Sequence, residues 1–221
     1  MWMRPRTRVN NRASKRHNAT VMARVERVNF PAAKRALGGN SGTERSHFPP
    51  ETWHEPQEDS PARFRVVVER PGSGFCHVVS EADVRARLAQ LPPELVRPLQ
   101  VVQLSRMTAK KKTFPCYGMQ WGSTIYLYPM EEGLVENFRR PPTPAQKIEA
   151  RMYGGQWCQP GPGRWQLVWT LEAIRNYYLN NILLHELGHL LDNRNTSYRD
   201  RERYAEWFAI EHGHKRPSQK A

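Results

Sequence analysis

The chain has little cysteine and no long apolar run, and both shortages narrow what it can be. Its three cysteines, Cys76, Cys116 and Cys158, are far apart and odd in number, which argues against a secreted disulfide framework and against a Cys-x-x-Cys zinc site. Nowhere do about 18 consecutive apolar residues occur, so no membrane-spanning helix is expected. The opening residues lack the apolar core of a signal peptide, and together these absences point to a cytoplasmic protein with no membrane partner. No internal repeat is evident.

Acidic residues are scarce near the N-terminus. The first 50 residues hold 11 Lys and Arg against 2 Glu, whereas the remaining 171 carry 23 basic and 19 acidic residues. Most of the net charge of +13 therefore belongs to a basic, Pro-rich tail spanning residues 1–62. Such a segment buries too little apolar surface to offset its ordering entropy, so disorder is expected there. Its Arg4, Arg6, Arg8, Arg12, Lys15 and Arg16 offer nonspecific phosphate contacts to nucleic acid. No organised nucleic-acid reading motif accompanies them. Residues 63–213 read as one folded domain, followed by a short basic tail at 214–221.

Within that domain the pattern is mixed. Phe64 to Glu69 and Phe75 to Val79 read as strands separated by the Pro71-Gly72-Ser73-Gly74 turn. Ser80-Glu81-Ala82-Asp83 opens a helix that runs through Leu91, with Asp83 at the capping-box position. Leu99 to Leu104, Thr124 to Tyr128 and Trp165 to Trp169 complete the expected strands, and Lys110-Lys111-Lys112 reads as a solvated loop. Trp121, Tyr126, Tyr128, Trp165 and Trp169 read as sheet core.

The most informative stretch is His185-Glu186-Leu187-Gly188-His189. A helix brings residues i and i+4 to one face, so His185 and His189 converge on one tetrahedral metal. Glu186 then reaches the water at the open fourth position. The preceding run from Leu171 has Thr170 as N-cap and no Pro or Gly to break it. It is apolar nearly all round, as a buried helix is. Two histidines there need partners or a metal, because an unsatisfied buried polar group costs about 1 to 3 kcal/mol. Gly188 costs about 1 kcal/mol of helix propensity relative to Ala, which makes sense if another backbone packs closely on it.

A third ligand is expected from a returning helix. Asn193 to Ser197 is turn-forming, and Ser197 or Asp200 caps a helix over Arg199 to Glu211. Counting at about 1.5 Å per residue brings Glu202 level with His189 and Glu206 level with His185. Glu202 is assigned to the metal and Glu206 to orienting His185. The reverse assignment stays open, and Asp192 and Asp200 are further candidates.

These residues carry a resemblance. His185 to His189 followed by Glu202-Arg203-Tyr204-Ala205-Glu206-Trp207-Phe208-Ala209 resembles the gluzincin type of zinc metallopeptidase, and Ala205 with Phe208-Ala209 is also similar to the ImmA/IrrE-like metallopeptidases. The resemblance covers about Thr170 to Gly213. The element order, a sheet and helix before the helix of His185 and His189 and a second helix after it, suits an α+β fold with a small mixed sheet, and the resemblance implies a zincin-like active-site helix and a following glutamate helix. It also implies one Zn2+ on His185, His189 and Glu202, with Glu206 behind them, and an edge strand that captures a peptide or protein substrate, for which Thr124 to Tyr128 or Trp165 to Trp169 are nominated. The expected chemistry is peptide-bond hydrolysis with Glu186 as general base. Tyr198, Tyr204, His212 and His214 are candidate donors to the oxyanion.

Overall fold

A computed structural model describes residues 64–113 and 116–215. The expectations for residues 1–62, including the basic contacts and the disorder, lie outside the described residues, as does most of the 214–221 tail.

The fold is mixed helix and sheet. A four-stranded sheet has the order β1 (Arg65–Val68), β3 (Val101–Leu104), β5 (Thr124–Leu127), β4 (Gly118–Trp121). Its first three strands are parallel and β4 runs antiparallel at the edge. Parallel β1 and β3 need a crossover, supplied by α1 (Glu81–Leu88) and α2 (Pro93–Val96). Ser80 caps α1 in the expected capping box with Asp83. The stretch from Phe75 contributes only a two-residue strand, β2 (Phe75–Cys76), paired with β6 (Met130–Glu131) in a separate ribbon.

A third sheet has the order β7 (Val135–Phe138), β9 (Arg164–Val168), β8 (Gln156–Gly161) and is antiparallel throughout. Helix α4 (Pro144–Met152) lies between β7 and β8 in the chain, opened by Thr143 and Gln146 in a capping box. The expected Lys110 to Lys112 loop is instead part of α3 (Ala109–Thr113). Lys111 is 9% exposed, with its ammonium 3.8 Å from the centre of the Tyr128 ring, because a cation can exchange water for an aromatic face. Of the aromatics read as core, Tyr126, Tyr128 and Trp169 are buried, whereas Trp121 on the edge strand is 40% exposed.

The helix that carries His185 and His189 is not one regular α-helix. It comprises α5 (Leu171–Tyr177), a π-helical turn (Tyr178–Ile182) and α6 (Leu183–Leu191). Thr170 caps its start as expected. Packed side chains fasten the helix to both larger sheets. The Tyr178 hydroxyl donates to the Tyr128 carbonyl at 2.8 Å, and Tyr177 stacks on Trp169 at 5.0 Å. Trp169 Nε1 and the Tyr117 hydroxyl both donate to the Glu136 carboxylate, at 2.9 and 2.5 Å. Burial raises the Glu136 carboxyl above its ordinary value, against the lowering effect of those two donors.

After a turn, α7 (Tyr198–Ala209) returns along α6 and ends in a second π-helical turn (Ile210–His214). Ser197 is its N-cap. No helix among the described residues is long and apolar enough to cross a membrane.

Candidate metal centre

The site is built where α6 and α7 cross. Gly188 makes the crossing close: a Cβ there would lie 2.9 Å from the Ala205 Cα and 3.1 Å from the Phe208 Cβ. The helix penalty of this glycine is thus offset by backbone approach, as its position suggested. Replacing it with Ala is expected to destabilise the fold by about 1 to 3 kcal/mol through overpacking and to weaken metal binding. Thermal unfolding and metal titration of the variant check both effects together.

The crossing brings Glu202 to the two histidines. The His185 Nε2 lies 3.6 Å from Glu202 Oε2, and the His189 Nε2 lies 3.4 Å from Glu202 Oε1. One ligand atom from each of the three residues lies within 4.8 Å of the others, a group that could hold a metal ion. The imidazoles meet edge to face with centroids 4.7 Å apart. A tetrahedral zinc with bonds of about 2.0 to 2.1 Å sets its ligand atoms about 3.3 Å apart, so the two measured His–Glu separations suit such an ion. Burial alone would raise the Glu202 carboxyl. The hydrogen-bonding and charge of His185 and His189 outweigh it and hold the carboxyl well below the usual range.

Glu186 sits beside this group at 2% exposure. It packs on the edge strand, since a Cβ added at Gly118 would lie 3.0 Å from Glu186 Cγ and 3.2 Å from its Oε1. A glycine inside a strand commonly marks a close approach, and that signal in Gly118-Met119-Gln120-Trp121 could have revealed the strand and its neighbour. Arg201 adds a link between the two helices by donating from Nη2 to the His189 carbonyl at 3.3 Å. It satisfies one of the carbonyls left open at a helix end.

The other candidates are distributed as follows. Glu206 lies one turn beyond Glu202 on the same face of α7, half-buried. Asp192 accepts from the Arg194 and Asn195 amides at 3.3 and 3.1 Å, closing the turn after α6. Asp200 accepts from the Ser197 hydroxyl at 2.7 Å in the first turn of α7. Tyr198 shares the Glu202 face, four residues earlier, and is exposed. Tyr204 lies on a different face and packs toward Trp207 and Phe208. His212 and His214 fall about 15 Å or more farther along the helix axis. There the His212 ring lies 4.4 Å from Phe208, and the His214 ring 6.0 Å from Tyr153.

The two strands nominated for peptide capture are both interior. Thr124–Leu127 is flanked by β3 and β4, and Arg164–Val168 by β7 and β8, so their backbone groups already belong to neighbouring strands. The edge next to the metal group is β4, which among the described strands pairs on one side only. No family model, curated protein or solved structure matches the chain.

Proposed function

We propose that the protein is a zinc-dependent metallopeptidase of the gluzincin type, with a zincin-like helix carrying His185, Glu186 and His189. The observation that carries this reading is the convergence of His185, His189 and Glu202 beside a buried Glu186. Two imidazoles and one carboxylate form a donor set suited to zinc, with a fourth position left for the reaction. The same set with a neighbouring carboxylate has no structural need of Glu186, which is what favours catalysis over a purely architectural metal. When bound, the ion supplies Lewis-acid chemistry, polarising a carbonyl and lowering the pKa of water toward about 7.

The chain's own groups do the rest. Glu186 takes a proton from the attacking water and delivers it to the leaving nitrogen, a role worth about 100- to 10,000-fold in rate. Its packing against Gly118 holds the carboxylate beside the edge of β4. An extended peptide that adds to that edge by backbone hydrogen bonds runs past Glu186. Tyr198 is retained as the oxyanion donor because, of the four candidates, it alone shares the helix face of Glu202. Glu206 orients His185.

Purified protein is expected to carry about one zinc per chain and to cleave members of a peptide library. Treatment with a chelator abolishes cleavage and added zinc restores it. Zinc-loaded protein that cleaves no member of the library would overturn the proposal.

A further inference from the structure

We propose that Arg87, on α1 and outside the metal centre, is a positioning residue that sets the metal affinity of the His185, His189 and Glu202 group. The inference rests on the metal-binding reading given above. The Arg87 side chain is nearly buried, at 8% exposure. Its Nε donates to Asn180 Oδ1 at 2.6 Å, and its Nη2 donates to the His212 carbonyl at 2.5 Å. Asn180 is the middle residue of the π turn at Tyr178–Ile182, and His212 is the middle residue of the π turn at Ile210–His214. One guanidinium therefore ties together the distal parts of the two helices that carry the ligands.

The rest of this junction is equally confined. Asn180 Nδ2 donates to Asn176 Oδ1 at 2.7 Å, and the Asn180 carbonyl accepts from the Tyr153 hydroxyl at 3.4 Å. Gly213 packs on that same carbonyl with no space for a Cβ. A side chain on residue 213 would force the two π turns apart.

A π turn accommodates one residue more than an α turn, and each residue of an α-helix advances about 100° around the axis. Whether Tyr178–Ile182 winds as π or α thus decides which way His185 faces. Arg87 holds the central side chain of that turn. The same planar fork holds the end of the α7 helix against it, so Glu202 returns at the spacing the imidazoles require. Arg201 makes the corresponding link beside the metal ligands themselves. A lysine carries the charge of Arg87 but not its fixed fork.

The test measures zinc affinity of the full chain by competition with a chromophoric chelator, alongside thermal unfolding and the absorption spectrum of the cobalt-substituted protein. Arg87→Met and Asn180→Leu are each expected to raise the zinc dissociation constant on the order of tenfold and to shift the cobalt spectrum. The double variant loses no more than Arg87→Met alone, because Asn180→Leu cuts one of the two bonds that Arg87→Met already removes. Asn180→Asp keeps the acceptor for Arg87, gives up only the exposed donation to Asn176, and is expected to keep wild-type affinity. Variants that bind zinc as tightly as wild type while only their melting temperature falls would assign Arg87 a purely structural role and overturn the inference, as would fully additive losses. Wild-type protein that takes up no zinc would instead defeat the metal reading itself. If Arg87→Met does not fold, the contrast between Asn180→Leu and Asn180→Asp decides the matter.

Discussion

Replacing Glu202 by Ala is expected to strip the protein of its metal. The carboxylate provides both oxygens that approach the two imidazoles, at 3.6 and 3.4 Å, and the variant leaves two histidines on one helix with nothing opposite. The expected loss in zinc affinity exceeds 100-fold, beyond the 10- to 100-fold typical of a group that merely orients a ligand. Glu206→Ala, one turn farther on, falls within that smaller range. Comparing the two by zinc titration separates ligand from orienting group, and equal losses would reopen their assignment.

Acidification should act in the same direction as Glu202→Ala. Imidazole must be neutral to bind a metal, so affinity falls as pH is lowered. In metal-free protein the Glu202 carboxyl is held below its ordinary value of 4.5. Its contribution to stability is therefore present above that value and is lost as pH falls toward the folded-state value. Melting curves of metal-free wild type and Glu202→Ala should converge as the pH is taken below about 4. A gap that persists unchanged at low pH would show that Glu202 contributes through packing and not through its charge.

Glu186→Gln should separate binding from chemistry. Glutamine nearly matches the size of the buried carboxylate, so the contact with Gly118 and the crossing of α6 with α7 survive. The variant is expected to bind zinc with wild-type stoichiometry and to lose about 100- to 10,000-fold in turnover, because an amide cannot accept the proton of water. Retained turnover with bound zinc would remove Glu186 from the mechanism. Loss of zinc together with turnover would make its role structural.

Several elements were legible in the sequence because their signals are local. Thr170, Ser80 and Ser197 are N-caps where short polar side chains precede helical runs. Gly188 announced a close neighbour, which proved to be Ala205 and Phe208. Thr143 and Gln146 carry the same capping-box signal at α4, legible in retrospect by the rule that identified α1. By contrast β4, β7 and β8 mix apolar residues with Gly, Gln, Glu, Asn or Pro, so no apolar alternation marks them. The two nominated edge strands read as strands correctly. Their interior positions depend on which segments flank them, and that is not a local property.

The sequence by itself determined which groups the candidate site can bring together: two imidazoles one turn apart, a carboxylate between them, and a second helix able to bring another carboxylate back. These follow from residue type and helical period alone. Only the tertiary structure decided that Glu202 meets both histidines, that β4 forms the sheet edge beside them, and that the helix carrying His185 and His189 contains a π turn bonded to Arg87. Pairing order, helix crossing and local winding depend on contacts between residues far apart in the chain, such as Arg87 with Asn180 and His212. Hydrophobic period and capping residues describe each segment separately and cannot specify those contacts.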